Sequence, residues 1–166
     1  MIGIAYARRI ILKVFYMEGH TMKIQQLSVF LENRPGQLNQ ALHVLANAGI
    51  NIFTLSLADT PQFGILRLIV RDWRKAKQML EEAGYVVNIT DVVVINVPDQ
   101  PGGMAGLTGI FEPARINIDY MYAFNNRRGE NTATVAIRFN EPDAAIKLLK
   151  AHDYTMISSA DLDKMS

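Results

Sequence analysis

The sequence predicts an α+β protein that uses one βαββαβ unit twice in succession. The first observation behind this is an internal repeat. Pro35-Gly36 recurs 66 positions later as Pro101-Gly102, and Ala48, Ile50, Asn51 and Ile52 recur at the same offset as Ala114, Ile116, Asn117 and Ile118. The second is a change of register inside the repeat: Leu66, Ala76, Leu80 and Tyr85 match Val135, Ala145, Leu149 and Tyr154 at an offset of 69. The extra three residues fall in the polar stretch Asn125 to Glu130, which reads as a lengthened hairpin loop between two strands. Units of about 70 residues are too long for solenoid repeats, so each copy is a small domain.

The elements come in order along the chain. Lys23 to Leu31 is mixed apolar and β-branched, a strand. Leu38, Ala41, Leu42, Leu45 and Ala48 then fall on one face of a helix that Gly49 ends. Ile50 to Ala58 alternates as a second strand, Asp59 to Gln62 turns, and Phe63 to Val70 returns. Asp72 caps a second helix with the apolar face Trp73, Ala76, Met79, Leu80 and Ala83, stopped by Gly84, and Tyr85 to Ile89 closes the unit. In the second copy Val92 to Val97, Met104 to Glu112, Asn117 to Asn125, Asn131 to Phe139, Pro142 to Lys150 and Tyr154 to Ser158 repeat the order. This is the ferredoxin-like arrangement, an antiparallel sheet with both helices on one face. Only Asn88 to Asp91 separate the copies, so tight packing is expected, with residues 22–90 as one domain and 91–166 as the other.

Residues 1–21 lie outside the repeat and differ from it in character. Arg8 and Arg9 before Ile10, Ile11 and Leu12 hint at a signal peptide, but Lys13 breaks the apolar stretch and no small-residue cleavage site comes after it. The segment is also too short in apolar run for a membrane span, which needs about 20 residues. It is expected to be an extension upstream of the folded unit.

Composition narrows the function. Seventeen basic and sixteen acidic residues lie scattered along the chain for a net charge of +1, with no electropositive stripe of the kind nucleic-acid binding demands. Cysteine is absent, which removes disulfides, thiolate nucleophiles and Cys-ligated metals and makes a reducing cytoplasm the expected compartment. His20, His43 and His152 are isolated in sequence, with surface or capping roles expected of them. No catalytic residues, metal site or cofactor are predicted.

The stretch Glu32-Asn33-Arg34-Pro35-Gly36-Gln37-Leu38 is the most suggestive feature. It is either an ordinary helix start with Asn33 as a cap, or a ligand site. A helix start leaves first-turn N–H groups unpaired, and the helix dipole makes them attractive to an anion such as an α-carboxylate. Asn33 and Asn51, 18 positions apart, each offer a donor and an acceptor and are expected to meet the ammonium and carboxylate of one zwitterion. Arg34 pairs with a carboxylate on that reading and is a solvated charge on the other.

These residues resemble a known family, the ACT domain. The carriers are E-N-R-P-G-Q-L at the end of the first strand, a helix, then A-G-I-N-I, similar to the serine-sensing regulatory domain of phosphoglycerate dehydrogenase. The resemblance covers Lys23 to about Ser159, in two copies, and implies a tandem ACT protein without an attached enzyme. It implies a free amino acid as effector, bound near a domain or subunit interface, a homodimer, and an enzyme of amino-acid metabolism as the regulated partner. The residues it implies at the ligand are Asn33, Arg34, Pro35, Gly36, Gln37, Leu38, Asn51 and Ile52. In the second copy they are Asp99, Gly102, Gly103, Met104, Asn117 and Ile118.

The second copy departs from the first in three ways. Asp99 replaces an asparagine, which disfavours an approaching carboxylate and favours an ammonium. Gly102, Gly103, Gly106 and Gly109 suggest a phosphate loop, but no G-x-x-x-x-G-K-S/T is present, so packing or close contact with a small ligand is expected instead. Tyr120, Tyr122 and Phe124 align with the small row Thr54, Ser56 and Ala58. This aromatic row either buries a sheet face against the first domain or a partner subunit, or walls an effector pocket. Two further functions are carried. One is an acylphosphatase-like enzyme, in which Arg34 and Asn51 together hold a phosphate. The other is a purely structural module.

Overall fold

The computed structural model describes residues 21–59, 63–124 and 131–163. Residues 1–20 of the extension expected at 1–21, Gln62 and the stretch 125–130 lie outside these. The elements run β1 (Ile24–Glu32), α1 (Gln37–Asn47), β2 (Ile52–Asp59), β3 (Phe63–Val70), α2 (Trp73–Glu82), β4 (Val86–Pro98), α3 (Gly103–Gly109), β5 (Ile118–Phe124), β6 (Thr132–Phe139), α4 (Pro142–Ala151), β7 (Met156–Ile157) and α5 (Ser159–Asp163).

The strand order β2-β3-β1-β4-β6-β5, with β7 also on β4 and every pair antiparallel, is two ferredoxin-like sheets sharing one strand. Val86 to Val92 of β4 pair with β1, and Val93 to Pro98 pair with β6. The expected strands Tyr85–Ile89 and Val92–Val97 are therefore one strand of 13 residues, with no linker between the copies. Asn88, Thr90 and Asp91 read as a break in a hydrophobic run, yet their backbones continue the ladder opposite Ser28, Gln26 and Gln25.

Each half has its own core between sheet and helices. In the first, Leu27, Val29, Leu31, Leu66, Leu68 and Val70 meet Ala41, Leu45, Ala76 and Leu80. In the second, Val93, Ile95, Val97, Val135, Ile137 and Phe139 meet Leu107, Phe111, Ala145 and Leu149. A third cluster joins the halves: Ile24, Ile69, Val92, Val94, Ala136, Ile157 and Leu162, with Phe53, Tyr120, Tyr122 and Phe124 packed on it. These residues alternate with the helix-facing ones, so the sheet folds across β4 and its two helix-free faces meet. The aromatic row thus lies against the first domain.

Gln26, fully buried, seals this contact: its Nε2 donates to the Tyr120 hydroxyl at 2.8 Å, and the Tyr122 hydroxyl donates to its Oε1 at 3.0 Å. The Arg67 guanidinium lies 4.0 Å from the Tyr120 ring centroid. Its Nε is buried with no hydrogen-bond partner among the described residues, a cost that the cation–π contact offsets. Burial, then the nearby Tyr120, raises the Tyr122 pKa, while Arg67 pulls the other way.

Two elements differ from the expected ones. The helix expected over Met104–Glu112 stops at Gly109, after which the Phe111 and Arg115 N–H groups close turns on the carbonyls three residues back, Thr108 and Glu112. Gly106 and Gly109 weaken it from within, each costing about 1 kcal/mol against alanine. The closing strand expected over Tyr154–Ser158 is only Met156–Ile157, and α5 comes directly after it, with Ser158 capping that helix: the Asp161 N–H donates to Ser158 Oγ at 3.2 Å and Ser158 Oγ donates to Asp161 Oδ2 at 2.6 Å.

Candidate ligand-binding site

The two Pro-Gly junctions form as helix starts of the same kind. Gly36 is the N-cap of α1 at φ 91°, and Gly102 that of α3 at φ 88°, left-handed conformations that a side chain resists. Neither helix has a side-chain cap or an acid in its first turn. The other long helices are provided for: Asp72 accepts from the Lys75 N–H in α2, and Asp143 stands in the first turn of α4. At the first junction the Gln37 N–H reaches the Arg34 carbonyl at 3.3 Å and the Arg34 N–H the Glu32 carbonyl at 2.8 Å. The surface from Glu32 to Gly36 is exposed, and the Arg34 side chain pairs with Glu32.

Leu38, Ile52 and Ile118 are half-buried and pack against the two cores, and the side chains of Asn33, Asn51, Asp99 and Met104 are at the surface. Asn117 is tied locally: its N–H donates to Asn140 Oδ1 at 2.9 Å and its Nδ2 to Asp119 Oδ1 at 3.1 Å. Gly103 has a packing reason, since a Cβ there would stand 2.2 Å from the Pro98 carbonyl oxygen.

Within one chain the two asparagines do not meet. Asn33 follows Glu32, which pairs with Phe63 at the start of β3, whereas Asn51 precedes Ile52, which pairs with Val70 at its end. Those ends are roughly 23 Å apart along the strand. The reading in which both hold one zwitterion in a single chain is therefore corrected, and the same separation removes Arg34 and Asn51 as a phosphate-holding pair. The two junctions are also remote from each other, because Phe30 near one pairs with Val86 at the start of β4, and Pro98 at its end opens the other.

Around Asn51 the structure gathers what the sequence reading missed. A cleft of about 260 Å³ is lined by Asn51, Phe53, Arg71, Asp72 and Lys75, and beside it one of about 200 Å³ lies between the first domain and α5. Lys75 Nζ donates to the Ala48 carbonyl at 2.8 Å across this end of the domain. Among the described residues no group of three His, Cys, Asp or Glu is placed to hold a metal ion, and no helix is long and apolar enough to cross a membrane.

This architecture defines a pair of ferredoxin-like domains fused through a common strand. The chain belongs to the ACT domain pair family, whose family model matches residues 22–166. It is similar to a protein of Bacteroides thetaiotaomicron of known crystal structure, 41% identical, with a TM-score of 0.79 over 85% of this chain and 96% of that one. It is also similar to the regulatory subunits of aspartate kinase from Thermus thermophilus and Thermus flavus. The first, in ligand-free form, is 16% identical with a TM-score of 0.58 over 79% of this chain and 93% of that one. The second is 14% identical with a TM-score of 0.55 over 76% and 90%. These two likenesses are of fold alone. No curated protein matches the sequence. ACT domains bind small molecules such as amino acids for regulation.

Proposed function

We propose that this chain is a non-catalytic sensor of a free amino acid, with the effector's α-carboxylate on the α1 start at Asn33–Leu38 and its other end on Asn51 of a second copy. The observation that carries this is the uncapped, glycine-started, exposed first turn of an 11-residue helix in a chain whose α2 is capped by its own aspartate. Three or four charge-assisted hydrogen bonds at about 1.5 to 3 kcal/mol each support micromolar affinity, about −8 kcal/mol.

The second copy enters because Asn33 and Asn51 lie at opposite ends of their domain. Two domains side by side in antiparallel fashion bring each Asn33 to the other's Asn51. The edge strand β2 supports such a contact, since Leu55 and Leu57 are 44% and 49% exposed on its helix side. The second junction, with Asp99 and a seven-residue helix, suits an α-carboxylate less. Because β4 and the third core hold the two halves together, the effector acts on how copies associate, a population shift worth about 1 to 3 kcal/mol, which a partner enzyme of amino-acid metabolism reads. Calorimetric titration of the purified chain with each common amino acid tests this. Saturable binding of one or a few is expected, and a flat response to all would sink the reading.

A further inference from the structure

We propose that the cleft between the first domain and α5 is a second binding site, selective for a small dianion, a dicarboxylate or a phosphate monoester. It is separate from the Pro-Gly junction and does not depend on the effector reading above.

The charge is concentrated there. Lys23, Arg71 and Arg74 line this cleft, no carboxylate stands among its described lining residues, and Arg71 and Phe53 also line the adjoining cleft, which adds Lys75. Among the described residues, four cations thus face two abutting cavities that one acid, Asp72, also lines. Asp72 is occupied in capping α2 through the Lys75 N–H, at 3.0 Å. Lys23 is held by Asp143 at 2.8 Å, and that hydrogen bond is the main reason its pKa is raised, so it is charged at neutral pH.

The walls suit a small molecule with a short carbon skeleton. Phe53, Trp73 and Leu162 form the apolar sides, and the hydroxyl residues Thr21 and Ser159 stand at the rim, where the Ser159 N–H bonds the Thr21 carbonyl at 3.1 Å. Arg74 lies over the Trp73 ring at 4.5 Å. Stacked guanidiniums present their planar N–H forks edge-on, the geometry that grips carboxylate and phosphate oxygens two at a time. A cavity of about 200 Å³ is below the drug-sized range and fits a metabolite of few carbons.

The internal repeat supplies a control. Phe53, Arg71, Arg74 and Lys75 stand where the second copy has Asp119, Asn140, Asp143 and Ala144. There the equivalent end is closed by the protein itself: Asn140 bonds Asn117, and Asp119 pairs with Arg138 at 3.5 Å. The fold is satisfied at that end without a basic cluster, so the fold does not require one in the first copy.

Trp73 is the chain's single tryptophan, so its fluorescence reports on this cleft. The full chain is titrated with succinate, with inorganic phosphate and glycerol phosphate, and with sodium chloride at matched ionic strength. A saturable emission change is expected with a dicarboxylate or with the phosphates, the responding arm identifying which. R71N/R74D, which installs the second copy's residues at two exposed positions, is expected to weaken binding about tenfold or more. Arg71→Lys, which keeps the charge, is expected to weaken it less. No saturable change with any probe, a change that chloride reproduces, or equal affinity in a folded R71N/R74D chain would overturn the proposal.

Discussion

Gln26 Nε2 donates to the Tyr120 hydroxyl at 2.8 Å across the two halves of the molecule, 94 residues apart in sequence. Its Oε1 accepts from Tyr122, so one buried amide satisfies two half-buried phenols. Gln26→Leu leaves both hydroxyls without that partner and is expected to cost about 2 to 4 kcal/mol in urea unfolding. Replacing all three residues, Gln26→Leu with Tyr120→Phe and Tyr122→Phe, should cost less than Gln26→Leu alone, because neither phenol is then stranded, while Ser28 Oγ, which accepts from Gln26 Nε2 at 3.2 Å, loses that bond in both variants. A triple variant weaker than the single would show that the phenols are not bonded through Gln26.

In the alkaline range Tyr122 contributes to the pH dependence of stability, alongside Lys23, whose pKa is also raised. Burial first, and then Tyr120, raise the Tyr122 pKa in the folded chain above the ordinary 10.0. The folded state therefore keeps a proton that the unfolded state releases, and its contribution is fully present below pH 10 and lost as pH rises toward the folded value. Each unit above about 10 should lower stability by about 1.4 kcal/mol from this group. Urea midpoints between pH 8 and 11.5 check this, and Tyr122→Phe should flatten the decline.

The glycines of α3 separate packing from ligand contact. Gly103→Ala drives a Cβ into the Pro98 carbonyl, a backbone atom that cannot swing away, and should cost 2 kcal/mol or more, as an approximate overpacking penalty. At Gly109 a Cβ meets nothing within 4 Å among the described residues and φ is not positive. Gly109→Ala should be neutral or stabilise by about 0.4 to 1 kcal/mol. Melting temperatures of the two variants give the comparison directly, and equal shifts would contradict it.

What the sequence made legible is what repeats locally: the two offsets, the helical faces at Ala41–Leu45 and Ala145–Leu149, and the Asp72 cap all have their residues close together or in register. The fused strand was hidden because Asn88, Thr90 and Asp91 lie on a ladder whose partners, Ser28, Gln26 and Gln25, are far away in sequence, and polarity alone reads as a boundary. Both copies carry a β-bulge at the start of their second strand, between Ile52 and Thr54 and between Ile118 and Tyr120, which swaps the faces of the residues beyond it. That bulge turned the aromatic row toward the first domain, and no spacing rule announces it. The basic cleft escaped for a similar reason. Lys23 and Arg71 are 48 positions apart and meet only because β1 begins beside the end of β3.

The composite effector site makes the most specific demand. If Asn33 of one copy and Asn51 of the other hold one ligand, Asn33→Ala and Asn51→Ala each remove a contact from every site, and each should weaken effector binding about tenfold or more. Co-expressing the two single variants yields mixed dimers in which one site lacks both asparagines and the other keeps both. Such dimers should bind with native affinity at half the native stoichiometry, while Asn33→Ala/Asn51→Ala chains recover nothing when mixed with themselves. Leu57→Glu on the β2 edge should lower the dimer fraction by light scattering and weaken effector binding in step, since half a site is left on each monomer. Full binding by a monomeric Leu57→Glu chain, or no recovery in the mixed dimers, would return the effector to a single chain and leave Asn51 to its own cleft beside Arg71.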